Sequence, residues 1–179
     1  MVKYSVEPVD QEARFDDHEI IVSKTDLKGN LLYANDVFCR LAQLETTQAI
    51  GQPHNIIRHP DMPRCVFKLL WERIQSGKEI FAYVKNMALD GKYYWVLAHV
   101  TPSYNENAQH IGYHSNRRKP TPHALARIIP LYESLVAEEA LHKNQKEALM
   151  AGEKLLKQTL EESGATYDEY VWSMMKGSV

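Results

Sequence analysis

Arg58-His59-Pro60-Asp61-Met62-Pro63 is the stretch of this chain richest in groups that could do chemistry. The arginine offers a planar fork of charged donors, the histidine a ring that donates or accepts, and the aspartate a carboxylate that can orient the arginine. A helix must start directly behind it. Asp61 is placed as an N-cap, and Pro63 falls in the first turn, where its missing N–H costs nothing. Val66, Phe67, Leu69, Leu70, Trp71 and Ile74 then recur at helical spacing, and Ser76-Gly77 ends the run. A polar, charge-bearing loop at the mouth of an apolar helix is one way to build a pocket for a large, flat, partly charged ligand. The same residues also make a capped surface turn with an exposed ion pair, and the stretch alone leaves both readings open.

Other chemistries find less support. No Ser/His/Asp set, paired carboxylates or glycine-rich nucleotide loop can be read from the chain, so it is not expected to be an enzyme. The eight histidines include no pair at a spacing that signals a metal site. Cys39 and Cys65 form no CxxC and fit buried thiols in a reducing compartment. A length of 179 residues suggests one domain plus an appendage, and 44% apolar with 25% charged residues is the composition of a soluble globule. The net charge of −2 gives no electrostatic case for nucleic acid or anionic lipid. No apolar run approaches the ~20 residues that cross a bilayer, so no direct membrane insertion is expected. No signal peptide opens the sequence, and a cytoplasmic location is expected.

The elements that must position the central stretch follow from periodicity. Residues 1 to 17 are polar and irregular, with scattered Val2, Tyr4, Val6, Val9 and Phe15, and are expected to form an N-terminal cap or arm. Ile20-Ile21-Val22 and Leu31-Leu32-Tyr33 read as strands joined by a turn at Asp26 to Asn30. Asn35-Asp36 caps a short helix carrying Val37, Phe38 and Leu41, and a helical turn follows near Thr46 to Ala49. After the longer helix, strands are expected over Glu79 to Asn86, Tyr93 to Thr101 and His110 to Arg117. Tyr93, Trp95, Leu97 and His99 share one face of their strand; Tyr94, Val96, Ala98 and Val100 share the other. Both faces are largely apolar, so both must be covered: one by the helices, the other by the arm or a second chain. This order fits an α+β domain, a five-stranded antiparallel sheet with short helices on one face.

Arg117-Arg118-Lys119-Pro120 marks a boundary, so the chain divides into an arm over 1–17, a domain over 18–119 and a helical extension over 120–179. Pro130 is expected to divide that extension, leaving residues 131–162 as an amphipathic helix or helical hairpin stopped by Ser163-Gly164. Tyr167, Tyr170 and Trp172 near the end either dock onto a partner or pack back onto the chain.

Residues 19–118 resemble a PAS domain, and within that superfamily the sensor domain of aerotaxis receptors. The resemblance is carried by Thr25-Asp26-Leu27, Ala34-Asn35-Asp36, Gly51-Gln52-Pro53-His54-Asn55, the run Arg58 to Pro63, Trp71, Val84-Lys85-Asn86, Gly91, Tyr94-Trp95-Val96 and Gly112-Tyr113. The six-residue run Arg58 to Pro63 is the specific part. No membrane anchor or signalling domain follows in the sequence as it stands. The resemblance is therefore to the stand-alone PAS subunits of two-piece energy-taxis systems, which work beside a membrane-bound chemotaxis transducer.

The resemblance implies a PAS fold, non-covalent FAD binding and redox or oxygen sensing. The expected cofactor-binding residues are Arg58, His59, Asp61, Asn86, Trp71, His54, Asn35 and His114. Arg58 and His59 can donate to ribityl or phosphate oxygens. Trp71 either faces the ring or simply packs in the core. Asn86 suits the flavin edge, because its amide both donates and accepts. His114 is assigned from a matching position in the flavin-binding light-sensor branch. Two departures stand out. Ile80 and Ala82 replace a Trp and a Gly frequent in the family, altering the pocket wall, and Cys65 is not placed like the adduct-forming cysteine of the light sensors, so no adduct chemistry is expected. A haem-binding gas sensor, with His54, His59, His99 or His114 as axial ligand, and a ligand-free dimerisation module are the alternatives. A homo-oligomer is expected in any of these readings.

Overall fold

The computed structural model describes residues 6–175, so Val2 and Tyr4 of the expected arm lie outside the described residues. The chain divides into two compact units. One runs as far as Pro60 and resumes over Arg73–Lys119; the other joins Asp61–Glu72 to the chain from Pro120 onward.

The first unit is built on a five-stranded antiparallel sheet in the order β2-β1-β5-β4-β3. Its strands are β1 (Ile21–Thr25), β2 (Leu31–Ala34), β3 (Ile80–Met87), β4 (Tyr93–Tyr104) and β5 (His110–Arg118). Two short helices, α1 (Asp36–Ala42) and α2 (Thr46–Ala49), and a 3-10 turn at His54–Ile57 separate the first hairpin from the rest. The β1–β2 turn forms because Asp26 accepts from the amides of Lys28 and Asn30, both at 2.8 Å, and Gly29 supplies a φ of 83°.

Burial alternates along β1 and along β5 from Tyr113 onward, as a two-residue period demands. Ile21, Ser23 and Thr25 of β1 stand opposite Arg117, Ser115 and Tyr113 of β5, and all six are buried. Ala98 and Val100 of β4 stand opposite Arg117 and Ser115, which extends the same inner face. β1 and β5 approach so closely that a Cβ on Gly112 would lie 2.0 Å from the carbonyl oxygen of Thr25. Only glycine fits there.

The arm meets this sheet beside the end of β5. Val9 N donates to Gly91 O at 3.0 Å, Tyr93 N to Gln11 O at 3.0 Å, and Ala13 N to Tyr93 O at 2.7 Å. Glu12 thus forms a parallel bridge with Tyr93, on the part of β4 that β5 does not reach. Phe15 is buried. Trp95, on the outer face of β4, is also buried.

The second unit is helical. The first turns of α3 (Arg64–Gln75) group with α4 (Pro122–Ala140), α5 (Gln145–Ser163) and α6 (Tyr167–Met175). Residues 61–72, expected within the 18–119 domain, group here instead. Pro130 does not divide the extension but lies inside α4. Proline removes one intrahelical hydrogen bond, yet burial of Ile128, Leu131, Tyr132 and Leu135 holds the helix through it. The break falls after Leu141, and Asn144 caps the next helix by accepting from Lys146 N at 2.8 Å. Tyr167 packs back into this unit, while Trp172 stays 44% exposed.

α3 begins at Arg64, just past Pro63, and its first amides are held from far along the chain. The Glu139 carboxylate of α4 accepts from Arg64 N at 3.0 Å and from Cys65 N at 2.9 Å. An anion there also meets the positive end of the helix dipole. Burial, and the Glu139 charge after it, push the Cys65 thiol up to about 12, so it stays protonated and inert. Gly152 of α5 leaves room for the carboxylate: a Cβ there would lie 2.6 Å from Glu139 Oε1 and 3.2 Å from Cys65 Sγ.

Gly152→Ala should therefore destabilise the protein by roughly 1–3 kcal/mol in urea unfolding, the usual cost of overpacking. Helix propensity alone would make the same change stabilising by about 1 kcal/mol. A raised midpoint would show that the Glu139 cap yields freely.

Candidate ligand site on the helix-covered face of the sheet

The site grows from the residues that β1, β5 and the 3-10 turn bring under α1. Arg117 on β5 is buried among them, and it is the centre of the arrangement. Its Nη2 donates to Ser23 Oγ at 2.9 Å and to His54 Nε2 at 2.5 Å. Its guanidinium carbon stands 5.8 Å from the Phe38 ring centroid, and the His54 ring meets Phe38 edge-on, also at 5.8 Å. Phe38 comes from α1 and His54 opens the 3-10 turn, so the short helices exist here as walls for a buried cation.

Electrostatics follow from that burial. Arg117 can only donate, so His54 Nε2 must accept, which leaves the imidazole neutral with its proton on Nδ1. Burial first, and the Arg117 charge second, push the His54 pKa down to about 3. Burial lowers Arg117 itself to about 10, with the Tyr94 phenol acting in the opposite sense. Among the described residues no carboxylate pairs with this guanidinium. A buried charge without a counter-charge is costly and marks a place where a partner is missing. Arg117 Nη1, Tyr94 Oη, Ser115 Oγ and Asn86 Nδ2 are all buried and lack a hydrogen-bond partner among the described residues. Tyr94 connects them: its phenol interacts with Arg117, and its backbone stands opposite Asn86 in the β3–β4 ladder.

The expected site residues distribute themselves unevenly around this interior. Arg58 and Asn86 come together, because Arg58 forms an antiparallel bridge with Asn86 on the free edge of β3. Bridge partners share a face, so Arg58 stands on the inner side with Asn86. His59, one residue on, falls on the other side; it is buried with its ring edge-on to Tyr93 at 6.4 Å. His54 joins the site through Arg117. Asn35 is employed in the scaffold: its Oδ1 accepts from Val22 N at 3.0 Å and Phe38 N at 3.1 Å, and its Nδ2 donates to Ile20 O at 2.8 Å. These bonds staple α1 to β1. His114 stands on the outer face, opposite Lys24 and Thr101. Asp61 and Trp71 belong to the helical unit, Asp61 exposed and Trp71 half-buried on α3.

Sequence reasoning missed Ser23, Tyr94, Ser115 and Arg117. The expected strand His110 to Arg117 includes Arg117 without making it a site residue; the structure buries it on the inner face of β5. Its signal was the alternation Tyr113, Ser115, Arg117, which puts a cation on the apolar-facing side of a strand.

A five-stranded antiparallel sheet in this order, with short helices over one face, defines a small α+β domain. The chain belongs to the PAS-fold family, whose model matches residues 18–114. Within the family it is similar to the aerotaxis receptor of Escherichia coli (strain K12), at 35% identity over 130 residues, or 71% of this chain and 26% of the receptor. It is also similar to the nitrogen fixation regulatory protein of Klebsiella pneumoniae, at 27% identity over 50% of this chain and 18% of that protein. The chain thus spans about a quarter of the first relative and less of the second. Among solved structures, a light-oxygen-voltage domain studied with a flavin analogue superposes with a TM-score of 0.55 at 13% identity, covering 64% of this chain and 86% of that one. The light-state dimer of the fungal photoreceptor Vivid gives 0.50 at 15% identity over 62% of this chain and 84% of its own. At these identities the structures share the fold. No helix among the described residues is long and apolar enough to cross a membrane.

The depressed His54 pKa sets a pH dependence. His54 stays neutral in the folded protein down to about 3, whereas the unfolded ring takes up a proton below about 6.5. Its contribution to stability is therefore full above pH 6.5 and is lost as pH falls toward 3, by at most ~1.4 kcal/mol per pH unit. His54→Gln should remove that part of the slope when unfolding is measured between pH 7 and 4.5. An unchanged slope would mean that the ring titrates normally.

Proposed function

We propose that this protein is a redox and oxygen sensor for energy taxis: a PAS protein that binds FAD non-covalently and signals to a membrane-bound chemotaxis transducer. One observation carries the reading. Asn86 Nδ2 and Arg117 Nη1 are buried donors with no acceptor among the described residues, on the face of the sheet that the short helices cover. A flavin presents carbonyl oxygens and ring nitrogens along one edge and suits such donors. The similarity to an aerotaxis receptor, and the fold shared with a domain studied through a flavin analogue, point the same way.

Arg58 and Asn86 would hold the polar parts of the cofactor, with His54 acting through Arg117. When bound, FAD supplies reversible electron exchange. The chain's own part is hydrogen bonding: Asn86 donates through Nδ2 and accepts through Oδ1, and rotation of its amide exchanges the two. Because its backbone is bridged to Arg58 and paired with Tyr94, such a rotation is felt by the loop and by β4. Trp95 and Leu97 on the opposite face of β4 would carry the change to a partner, either a second copy of the chain or the transducer. The shift can be no larger than the difference in affinity between the two states. The protein would act in the cytoplasm as a sensor and not as a catalyst, with 18–119 as the sensing domain between the 1–17 arm and the 120–179 extension.

The purified protein should carry flavin absorption bands in the blue. A colourless protein that takes up no added FAD would overturn the reading, and a Soret band would assign the site to haem. Asn86→Ala should weaken FAD binding at least tenfold while leaving the apoprotein melting temperature unchanged, since it removes a donor that satisfies nothing. Arg58→Ala should likewise weaken FAD binding from the loop. His59→Ala is a poorer test, because His59 is buried against Tyr93 and its loss costs packing.

A further inference from the structure

Arg117 spends two hydrogen bonds on neutral partners, Ser23 and His54, and keeps its positive charge in the interior with no carboxylate to balance it. Replacing it with an apolar side chain would remove a costly buried charge, so structure alone gives no reason for it. On the same inner face two hydroxyls also lack partners among the described residues: Tyr94 Oη, which interacts with Arg117, and Ser115 Oγ, two residues along β5. The three come from adjacent strands β4 and β5 and from the same face of the sheet. Three unsatisfied groups, one of them a cation, make a receptor for an electron-rich planar edge.

We infer that Arg117 is the counter-charge for the bound ligand: its Nη1–H and the hydroxyls of Tyr94 and Ser115 take the electron-rich edge of the flavin ring, and hold it more tightly when the ring is reduced and anionic. The inference rests on the FAD reading above and goes further, because it makes the protein prefer one redox state. Reduction adds two electrons and one proton to the ring and leaves a negative charge on it. The buried guanidinium lowers the energy of that charge, and neutral hydroxyls adapt by rotating their protons. His54 serves as a positioning residue. Kept neutral, it orients Arg117 without adding a second positive charge to the cluster.

The test is a spectroelectrochemical titration of the full chain loaded with FAD, with dithionite as reductant and water as the proton source. Arg117→Met should weaken binding of reduced relative to oxidised flavin at least tenfold, which lowers the two-electron midpoint potential by about 30 mV or more. Arg117→Lys, which keeps the charge, should restore most of the difference. Tyr94→Phe should weaken FAD binding severalfold and leave the apoprotein as stable as before, since its hydroxyl has no hydrogen-bond partner among the described residues. A flavin-loaded Arg117→Met protein at the wild-type potential overturns the inference and leaves the FAD reading standing. If Arg117→Met fails to fold, Tyr94→Phe decides: unchanged FAD affinity overturns the inference. A wild-type protein that binds no flavin overturns both.

Discussion

Alternation across the antiparallel ladder is the constraint on which the site depends. β5 lies between β1 and β4, and its register with both sends Tyr113, Ser115 and Arg117 inward and His114 and Asn116 outward. A slip by one residue would exchange the two sets. The same parity acts at the edge of β3, where the bridge to Asn86 puts Arg58 inside and His59 outside. Adjacent residues of one conspicuous loop are thereby committed to opposite faces of the sheet.

The register alone would leave Arg117 an unstable guest. What makes it tolerable is the short helical layer, and that layer is tied down by Asn35. One side chain caps α1, accepts from Val22 of β1 and donates to Ile20, the residue just before β1. α1 then brings Phe38 beside the guanidinium, and the 3-10 turn brings His54 as an acceptor. Each partner is neutral, so the charge survives burial without being cancelled. Scaffold and site are in this way consecutive links: a helix cap positions an aromatic wall, and the wall confines a cation.

Much of the fold was legible in the chain itself. The strands read as apolar runs between turns, Asp26 to Asn30 carries turn chemistry, and Asn35 and Ser76-Gly77 punctuate helices, because each of these signals lies within one element or its immediate flank. What escaped was what depends on a partner remote in sequence. Pro130 looked like a divider because proline is costly in an isolated helix, but burial on α4 outweighs that cost. His114 was placed by analogy with a neighbouring branch, and the ladder assigns the interior to Ser115 instead. Arg117 reads as the last residue of a strand at a basic boundary, since nothing local distinguishes a charged strand residue aimed inward from one aimed at water. The family was legible from the Arg58 to Pro63 run, whereas the polar interior was not.

The Glu139 cap bears on how the chain comes off the ribosome. The residue that satisfies the first amides of α3 lies 75 positions downstream of Arg64, on a helix still unmade when the sheet has been synthesised. Until α4 emerges, those first amides have water for their acceptor. A fragment ending at Lys119 would therefore preserve every strand and yet release the beginning of α3. The boundary of the sheet and the boundary of what the sheet's own sequence needs in order to be complete are different places in this chain.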